Sequence, residues 1–458
     1  MKAIPIHSLV DACRGSLSRG ELTGQITSVS TDTRAIVDGA AFVALRGDHF
    51  DGHAFLDQAI DQGAKALIVD HLPEGFTKTG IAVVVVDDTL RALQSLAAWH
   101  LKEANVEVVG ITGSNGKTST KDFTKAVLQQ KYQVHATAGN FNNHIGLPLT
   151  ILSMPEETEV CVLEMGMSGH GEIAALCEIA RPRIGVITNI GTAHIEYLGS
   201  REAIATEKGA LVRYLPANGV LCLSAVCDFA DHYCKQTKSR VIIVGNGRGK
   251  IRAEKLAMSK SGSSFHLVSD EVKGELVTLP VVGRHMVSNA LLAAAVGKAL
   301  GMTLAEIADG LNAATLTSGR LRSFISGEVQ VFDDTYNANP ESMKAAIEAL
   351  DELELATDAE RYAVLGKMAE LGEYAETSCE SVGSLAAKRR VELVTVGQEA
   401  KPISDAALKA GGAAYHFDDQ AVAAEWLKDH CKANDAVLFK GSRSAKMEEV
   451  MRLAFPQN

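Results

Sequence analysis

The segment Gly110-Ile-Thr-Gly-Ser-Asn-Gly-Lys-Thr-Ser119 holds the residue types that grip a phosphate. Gly113 and Gly116, with Ser114 and Asn115 between them, let main-chain N–H groups turn inward around phosphate oxygens. A helix starting here adds its partial positive charge. Lys117 would reach the β- and γ-phosphates of a nucleoside triphosphate, and Thr118, beside Ser119, would offer a hydroxyl to Mg²⁺. The spacing departs from the strict phosphate-loop pattern, because Ile111 stands five residues before Gly116 and the leading Gly110 comes one residue early. A second candidate is Glu164, which ends the apolar run Val160-Cys-Val-Leu. A carboxylate at the C-terminal end of a strand is well placed to hold Mg²⁺ opposite such a loop. His194 follows another apolar run, residues 184–188, and falls near the same sheet edge. Asn140, Asn142 and Asn143 crowd one loop before Pro148. Their amides suit a sugar or phosphate, and turn formation is the plain alternative.

These residues need strands to carry them and helices to follow. The pattern predicts a buried strand over 106–112 and a helix after the loop, the context a phosphate loop requires. Upstream, β-rich pieces cover 25–30, 41–45, 66–69 and 81–86, with helices over 54–62 and 90–103. Downstream, strands are expected at 160–164, 184–189, 220–223 and 241–244, and helical periodicity at 288–300 and 304–311. Residues 315–319 are polar and turn-like. Strands then return at 329–333, 362–365, 393–396, 414–417 and 436–439, with Asn339 and Pro340 reading as N-cap and first helical position. Strands alternating with helices imply doubly wound parallel sheets. The chain is expected to be α/β with three domains: a small one over 1–87, a central phosphate-loop ATPase-like one over 88–317 and a Rossmann-like one over 318–458.

The length, 458 residues, suits about three domains. Lys plus Arg number 45 against 56 Asp plus Glu, a net charge of −11. Phosphate-backbone binding needs clustered cations, so a nucleic-acid partner is not expected. The longest aliphatic run, residues 81–86, falls far short of the roughly 20 residues that span a bilayer, and the expected location is the cytoplasm. The eight cysteines show no C-x-x-C pair. Cys222, Cys227, His232 and Cys234 fit no familiar zinc spacing and read as small buried thiols.

Several stretches together resemble the Mur ligases, ATP-dependent amide-bond formers of peptidoglycan precursor synthesis related to folylpolyglutamate synthases. They are the loop Gly110–Thr118, Glu164-Met-Gly166, Thr188-Asn-Ile-Gly-Thr-Ala-His194, Gly283-Arg-His-Met-Val-Ser-Asn289, Gly319-Arg320 and Asp333-Asp-Thr-Tyr-Asn-Ala-Asn-Pro340. Ser30-Thr-Asp-Thr-Arg34, Phe42-Val-Ala-Leu-Arg-Gly47 and Asp51-Gly-His53 resemble the UDP-sugar domain of the types that add the third and later residues. Gly366-Lys-Met-Ala-Glu-Leu-Gly372 and Lys440-Gly-Ser-Arg-Ser-Ala-Lys-Met-Glu448 resemble the type that adds D-alanyl-D-alanine. Lys367 stands where an acidic residue is common in relatives.

The resemblance implies a ligase that activates the carboxylate of UDP-N-acetylmuramoyl-tripeptide as an acyl phosphate, made from ATP with two Mg²⁺ ions. The amine of D-alanyl-D-alanine then attacks it. A relative adding a different amino acid, diaminopimelate, lysine or glutamate, is the alternative. Both steps gather negative charge, which calls for cations where they meet. Lys117 and Arg320 would supply them, Arg320 from a hinge. Glu164, Thr118 and His194 are the implied metal ligands. Lys208 joins them as a carbamate formed from its neutral amine and CO₂, since an ammonium would repel the metal. Asn289 resembles the adenine contact, with helix capping as its alternative, and Asp334 the ribose-binding acid. Tyr336, Asn337 and Asn339 would line the dipeptide site, and Arg443 would hold a substrate carboxylate by its planar fork. Arg34, Arg46 and His53 would meet the uridine diphosphate. A monomer is expected.

Overall fold

The computed structural model describes residues 1–270 and 272–456. By its internal contacts the chain divides into two compact units. The first comprises Met1–Gly110, Tyr132–Met167 and Gly171–Arg183; the second comprises Ile111–Lys131, Ser168–His170 and Ile184–Asn458.

A five-stranded sheet carries the start of the first unit, in the order Ser16–Arg19, Ala82–Val85, Ala66–Val69, Ala40–Val43, Ser28–Ser30. The last four run parallel, and Ser16–Arg19 closes one edge antiparallel. Ala40–Val43 and Ala66–Val69 are buried along their whole length, which is why they read as unbroken apolar runs and do not alternate. Phe42, Leu67 and Val83 face one another in register and pack with Leu56 and Ala59 of the helix Leu56–Asp61. Full burial of each large side chain contributes about 1.5–3 kcal/mol. The helix Thr89–Ala104 starts where the Asp88 carboxylate accepts the Arg91 N–H at 3.0 Å. It stops at Asn105, in left-handed geometry at φ 50°. Later in the same unit Val134–Ala136 pairs parallel with Val160–Glu164, and Thr137 extends the ladder with its N–H on Val162 O.

The strand Glu107–Thr112 runs out of the first unit into the second, where it delivers the glycine loop and the helix Lys117–Leu128. Here Ile184–Ile187, Val220–Ser224 and Arg240–Asn246 pair parallel in that order. Beyond them Ile251–Ser259, Gly262–Ser269 and Val272–Leu279 form an antiparallel ribbon. The sequence reading did not foresee this ribbon, because serines, lysines and glutamates interrupt its apolar positions. The helix Arg284–Ala299 begins right after Gly283, ahead of the expected start at 288. Its small residues let it bury almost every side.

The second unit ends in a six-stranded sheet ordered Arg322–Ser326, Val329–Asp334, Ala436–Lys440, Arg361–Leu365, Glu392–Val396, Ala414–Phe417. All neighbours run parallel except the first pair. The sheets are therefore mixed, with antiparallel strands at their edges. Asn339 caps the helix Pro340–Asp351 as expected: its side chain accepts the Ser342 N–H at 2.9 Å, and Ser342 Oγ accepts the Asn339 N–H at 3.0 Å. Such a cap contributes about 1 kcal/mol.

Candidate active site

The glycine loop owes its shape to two residues without side chains. Gly113 has φ +147°, and a Cβ there would lie 1.9 Å from Thr188 Oγ1; Gly116 has φ +78°, and a Cβ would lie 2.5 Å from Asn289 Oδ1. Asn289 thus sits over the turn into the phosphate helix. It is 5% exposed and lies inside Arg284–Ala299, so the helix-capping alternative is wrong.

The turn is tied down from its flank. Asn115 N–H donates to Asn189 Oδ1 at 3.0 Å, Asn189 Nδ2 donates to Asn115 O at 3.0 Å, and Thr188 Oγ1 donates to the same carbonyl. Ser114 Oγ accepts the Gly191 N–H at 2.9 Å. The Lys117 ammonium donates to Gly113 O at 2.8 Å, and Thr118 and Ser119 are buried at the helix start.

Residues far along the chain complete this region within the second unit. Arg320 Nη2 donates to Thr118 Oγ1 at 3.2 Å, and its guanidinium lies 4.1 Å from the centre of the Tyr336 ring. Arg320 is half-buried, and its Nε has no hydrogen-bond partner. Asn339 Nδ2 donates to Asn115 Oδ1 at 2.7 Å. Asp334, 9% exposed, is taken up by Lys440, whose Nζ lies 2.5 Å from Oδ2 and also donates to Asn337 O at 3.0 Å. The Asn337 side chain turns back on its own segment, accepting the Ala338 N–H at 2.9 Å. Arg443, largely exposed, pairs with Glu448 at 2.8 Å.

His194, at φ 62°, starts the short helix Ile195–Leu198. Its Nδ1 lies 2.5 Å from Glu370 Oε2. Contact with the His194 ring holds the Glu370 carboxyl below its ordinary value against the opposing pull of burial. Lys208 ends the helix Arg201–Lys208 and is 0% exposed, with no hydrogen-bond partner for Nζ. Burial drives its ammonium well below the usual lysine range, and the Lys117 charge adds to that. A solvated helix-end lysine is excluded.

In the first unit Glu164 is 3% exposed. Its Oε1 accepts Asn142 Nδ2 at 2.8 Å and its N–H donates to Thr137 Oγ1 at 3.0 Å, while buried Oε2 has no partner. A buried carboxylate oxygen left without a donor suits a divalent cation. Of the neighbouring asparagines, Asn143 is a turn residue: its Oδ1 accepts the Ile145 and Gly146 N–H groups at 3.1 and 2.8 Å. Exposed Asn140 contributes its main-chain carbonyl to the Asn142 N–H.

The other first-unit candidates divide. Arg34 is exposed and forms a fork on Asp32, with contacts of 2.9 and 2.7 Å; that arginine pulls the Asp32 carboxyl down to about 2. Arg46 and His53 come together. Arg46 Nη2 donates to Asp70 at 3.0 Å, and His53, 5% exposed, contacts Asp51 through Nδ1 at 2.6 Å and accepts the Asp70 N–H on Nε2. His53, Asp70 and His71 lie close enough for a metal, but both His53 ring nitrogens are already engaged. Cys222 and Cys227 are buried free thiols, and Cys234 is half-buried.

Sequence reasoning missed the residues that hold this machinery. Thr188 and Asn189 brace Asn115. Glu341 accepts the Thr192 N–H at 3.0 Å and its hydroxyl at 2.9 Å. Asp122 accepts the Thr317 N–H at 2.9 Å and anchors the linker ahead of Arg320. Thr188 and Asn189 stood in a quoted motif; the others gave no local signal, since their partners are remote in sequence.

Comparison with known proteins gives matches along most of the chain. Residues 25–100 match the Mur ligase family catalytic domain, 111–297 the Mur ligase middle domain and 319–443 the Mur ligase glutamate ligase domain. The UDP-N-acetylmuramoyl-tripeptide–D-alanyl-D-alanine ligase of Bacillus subtilis is 38% identical, over 98% of this chain and 97% of its own. A MurF crystal structure from Acinetobacter baumannii superposes with a TM-score of 0.91 at 30% identity, covering 100% of both chains. Thermotoga maritima MurF in complex with ADP gives 0.83 at 28% identity, over 93% of this chain and 96% of that one. The chain belongs to the Mur ligase family, with that family's three-domain α/β architecture.

Proposed function

We propose that this protein is the ATP-dependent, ADP-forming ligase that adds D-alanyl-D-alanine to UDP-N-acetylmuramoyl-tripeptide. Its strongest support is the near-full-length identity to ligases of that name. Residues 1–87, 88–317 and 318–458 would serve acceptor, nucleotide and dipeptide in turn, in a monomeric cytoplasmic enzyme. No helix among the described residues is long and apolar enough to cross a membrane.

In this reading one carboxylate oxygen of the tripeptide attacks the γ-phosphorus of ATP, the bond to ADP breaks, and an acyl phosphate forms. The amine of D-alanyl-D-alanine attacks the acyl carbon. The carbon–oxygen bond to phosphate breaks, the amine loses a proton to solvent, and phosphate leaves carrying the former carboxylate oxygen. Lys117 and Arg320 neutralise the phosphoryl oxygens, and Tyr336 stacked on Arg320 fixes the direction of its fork. Asn289 borders the adenine, Asp334 with Lys440 the ribose, and Asn337, Asn339 and Arg443 the dipeptide. Arg34, Arg46 and His53 receive the uridine diphosphate, and Asn140 and Asn143 border the acceptor.

Each unit holds donors suited to Mg²⁺: Glu164 in the first offers an unpartnered carboxylate oxygen, and Thr118 in the second a buried hydroxyl. His194 offers an imidazole, and Lys208 a carbamate, which its buried, partnerless amine is disposed to form. Bound Mg²⁺ would supply positive charge to the phosphoryl oxygens and the reacting carboxylate. The test is phosphate release with the UDP-tripeptide acceptor and a panel of amines, the acceptor carboxylate labelled with ¹⁸O. D-alanyl-D-alanine should stimulate release and label should appear in phosphate. Stimulation by another amine would redirect the specificity, and unlabelled phosphate would exclude the acyl phosphate.

A further inference from the structure

Asn142 stood among the acceptor-binding candidates, but its contacts turn inward. Its side chain donates to Glu164 Oε1 at 2.8 Å, and its carbonyl accepts the Gly166 N–H at 2.9 Å. One residue thus grips the end of the strand Val160–Glu164 at two points. The amide orientation follows from chemistry: its oxygen facing a carboxylate would set two acceptors against each other, so Nδ2 must face Glu164. Thr137 Oγ1 accepts the Glu164 N–H from the other side. With Oε1 held and Oε2 buried without a partner, the carboxylate keeps one oxygen for a ligand.

Gly166 explains why the contact can exist. A Cβ at position 166 would lie 2.9 Å from Asn142 Cγ and 3.0 Å from Nδ2. Any larger residue there would push the amide away from Glu164. The glycine two residues after the carboxylate is therefore a clearance for Asn142.

We infer that Asn142 is a positioning residue for the metal carboxylate, fixing Glu164 Oε1 so that Oε2 is presented to the divalent cation, and that Gly166 makes this contact possible. The inference rests on the proposed metal role of Glu164. Hydrogen-bond partners of metal ligands typically carry 10–100-fold in metal affinity.

The experiment titrates Mn²⁺ into the ADP-loaded protein by electron paramagnetic resonance, for wild type, Asn142→Ala, Gly166→Ala and Glu164→Gln, with the KM for the UDP-tripeptide measured alongside. Asn142→Ala and Gly166→Ala should each weaken Mn²⁺ about 10-fold or more and leave the acceptor KM within about twofold. Gly166→Ala removes neither polar group, so it tests the contact even if Asn142→Ala fails to fold. An acceptor KM raised tenfold with Mn²⁺ affinity unchanged in both variants would overturn the inference and make Asn142 an acceptor contact. Loss in Asn142→Ala alone would overturn the clearance role of Gly166. Unchanged Mn²⁺ affinity in Glu164→Gln would instead remove the metal role of Glu164 itself.

Discussion

Two polar regions of this molecule handle charge in opposite ways. Around the first sheet Arg34, Arg46 and His53 are matched by their own carboxylates, Asp32, Asp51 and Asp70, at 2.6–3.4 Å. Around the phosphate loop Lys208 Nζ and Arg320 Nε are buried without hydrogen-bond partners. Arg34 and Arg46 pair with their carboxylates at the surface, where solvent screens the attraction, while His53 is buried against Asp51 and Asp70. Buried donors left unmatched cost about 1–3 kcal/mol each. The fold tolerates that cost in the region assigned to ATP, where charge must develop and be neutralised. On the proposed roles, the self-paired residues meet the acceptor's diphosphate and the unmatched ones the reacting phosphoryl group.

The sharpest break falls on the loop. Lys117→Ala should lower kcat about 10²–10³-fold with an unchanged circular dichroism spectrum; near-normal turnover would remove the phosphate role. Lys208→Ala should come close behind, and acetate should restore part of the rate by occupying the vacated position. Wild-type turnover of this mutant in CO₂-depleted buffer would reduce Lys208 to a structural residue. Arg46→Ala, in the paired region, should raise the acceptor KM a few-fold and leave kcat alone, since a rim charge trades one partner for another. A fall in kcat with unchanged KM would erase the contrast between the regions.

The smallest effect is on stability. In CO₂-depleted buffer burial favours the neutral amine of folded Lys208, while the unfolded chain holds an ordinary lysine that binds a proton. The unfolded state therefore binds more protons, and stability rises with pH from the depressed value of Lys208 toward the ordinary lysine range. Lys208→Met should remove that slope and raise the midpoint of the corresponding transition at pH 7 by about 2–4 °C, visible by calorimetry. An unchanged midpoint and slope would mean that the amine is not held neutral.

The strands were readable because their residues are buried on both faces and form short apolar runs, as in Ala40–Val43 and Val160–Glu164. The ribbon Ile251–Leu279 was not, because its half-exposed strands dilute that signal. The phosphate loop could be read because its geometry demands Gly113 and Gly116 within a few residues. The partners of its residues could not. Thr118 meets Arg320 and Asn115 meets Asn339 across some two hundred residues of chain, and only the folded backbone sets such contacts. The burial of Lys208 was equally hidden, since a lysine at a helix end ordinarily favours water.

Mass spectrometry of the products tests the proposed reaction itself. From ATP, UDP-N-acetylmuramoyl-tripeptide and D-alanyl-D-alanine, the acceptor should gain the mass of two alanyl residues, with one ADP and one phosphate formed per product. ATP consumption with an unchanged acceptor, or an acceptor extended only when another amino acid replaces the dipeptide, would contradict it.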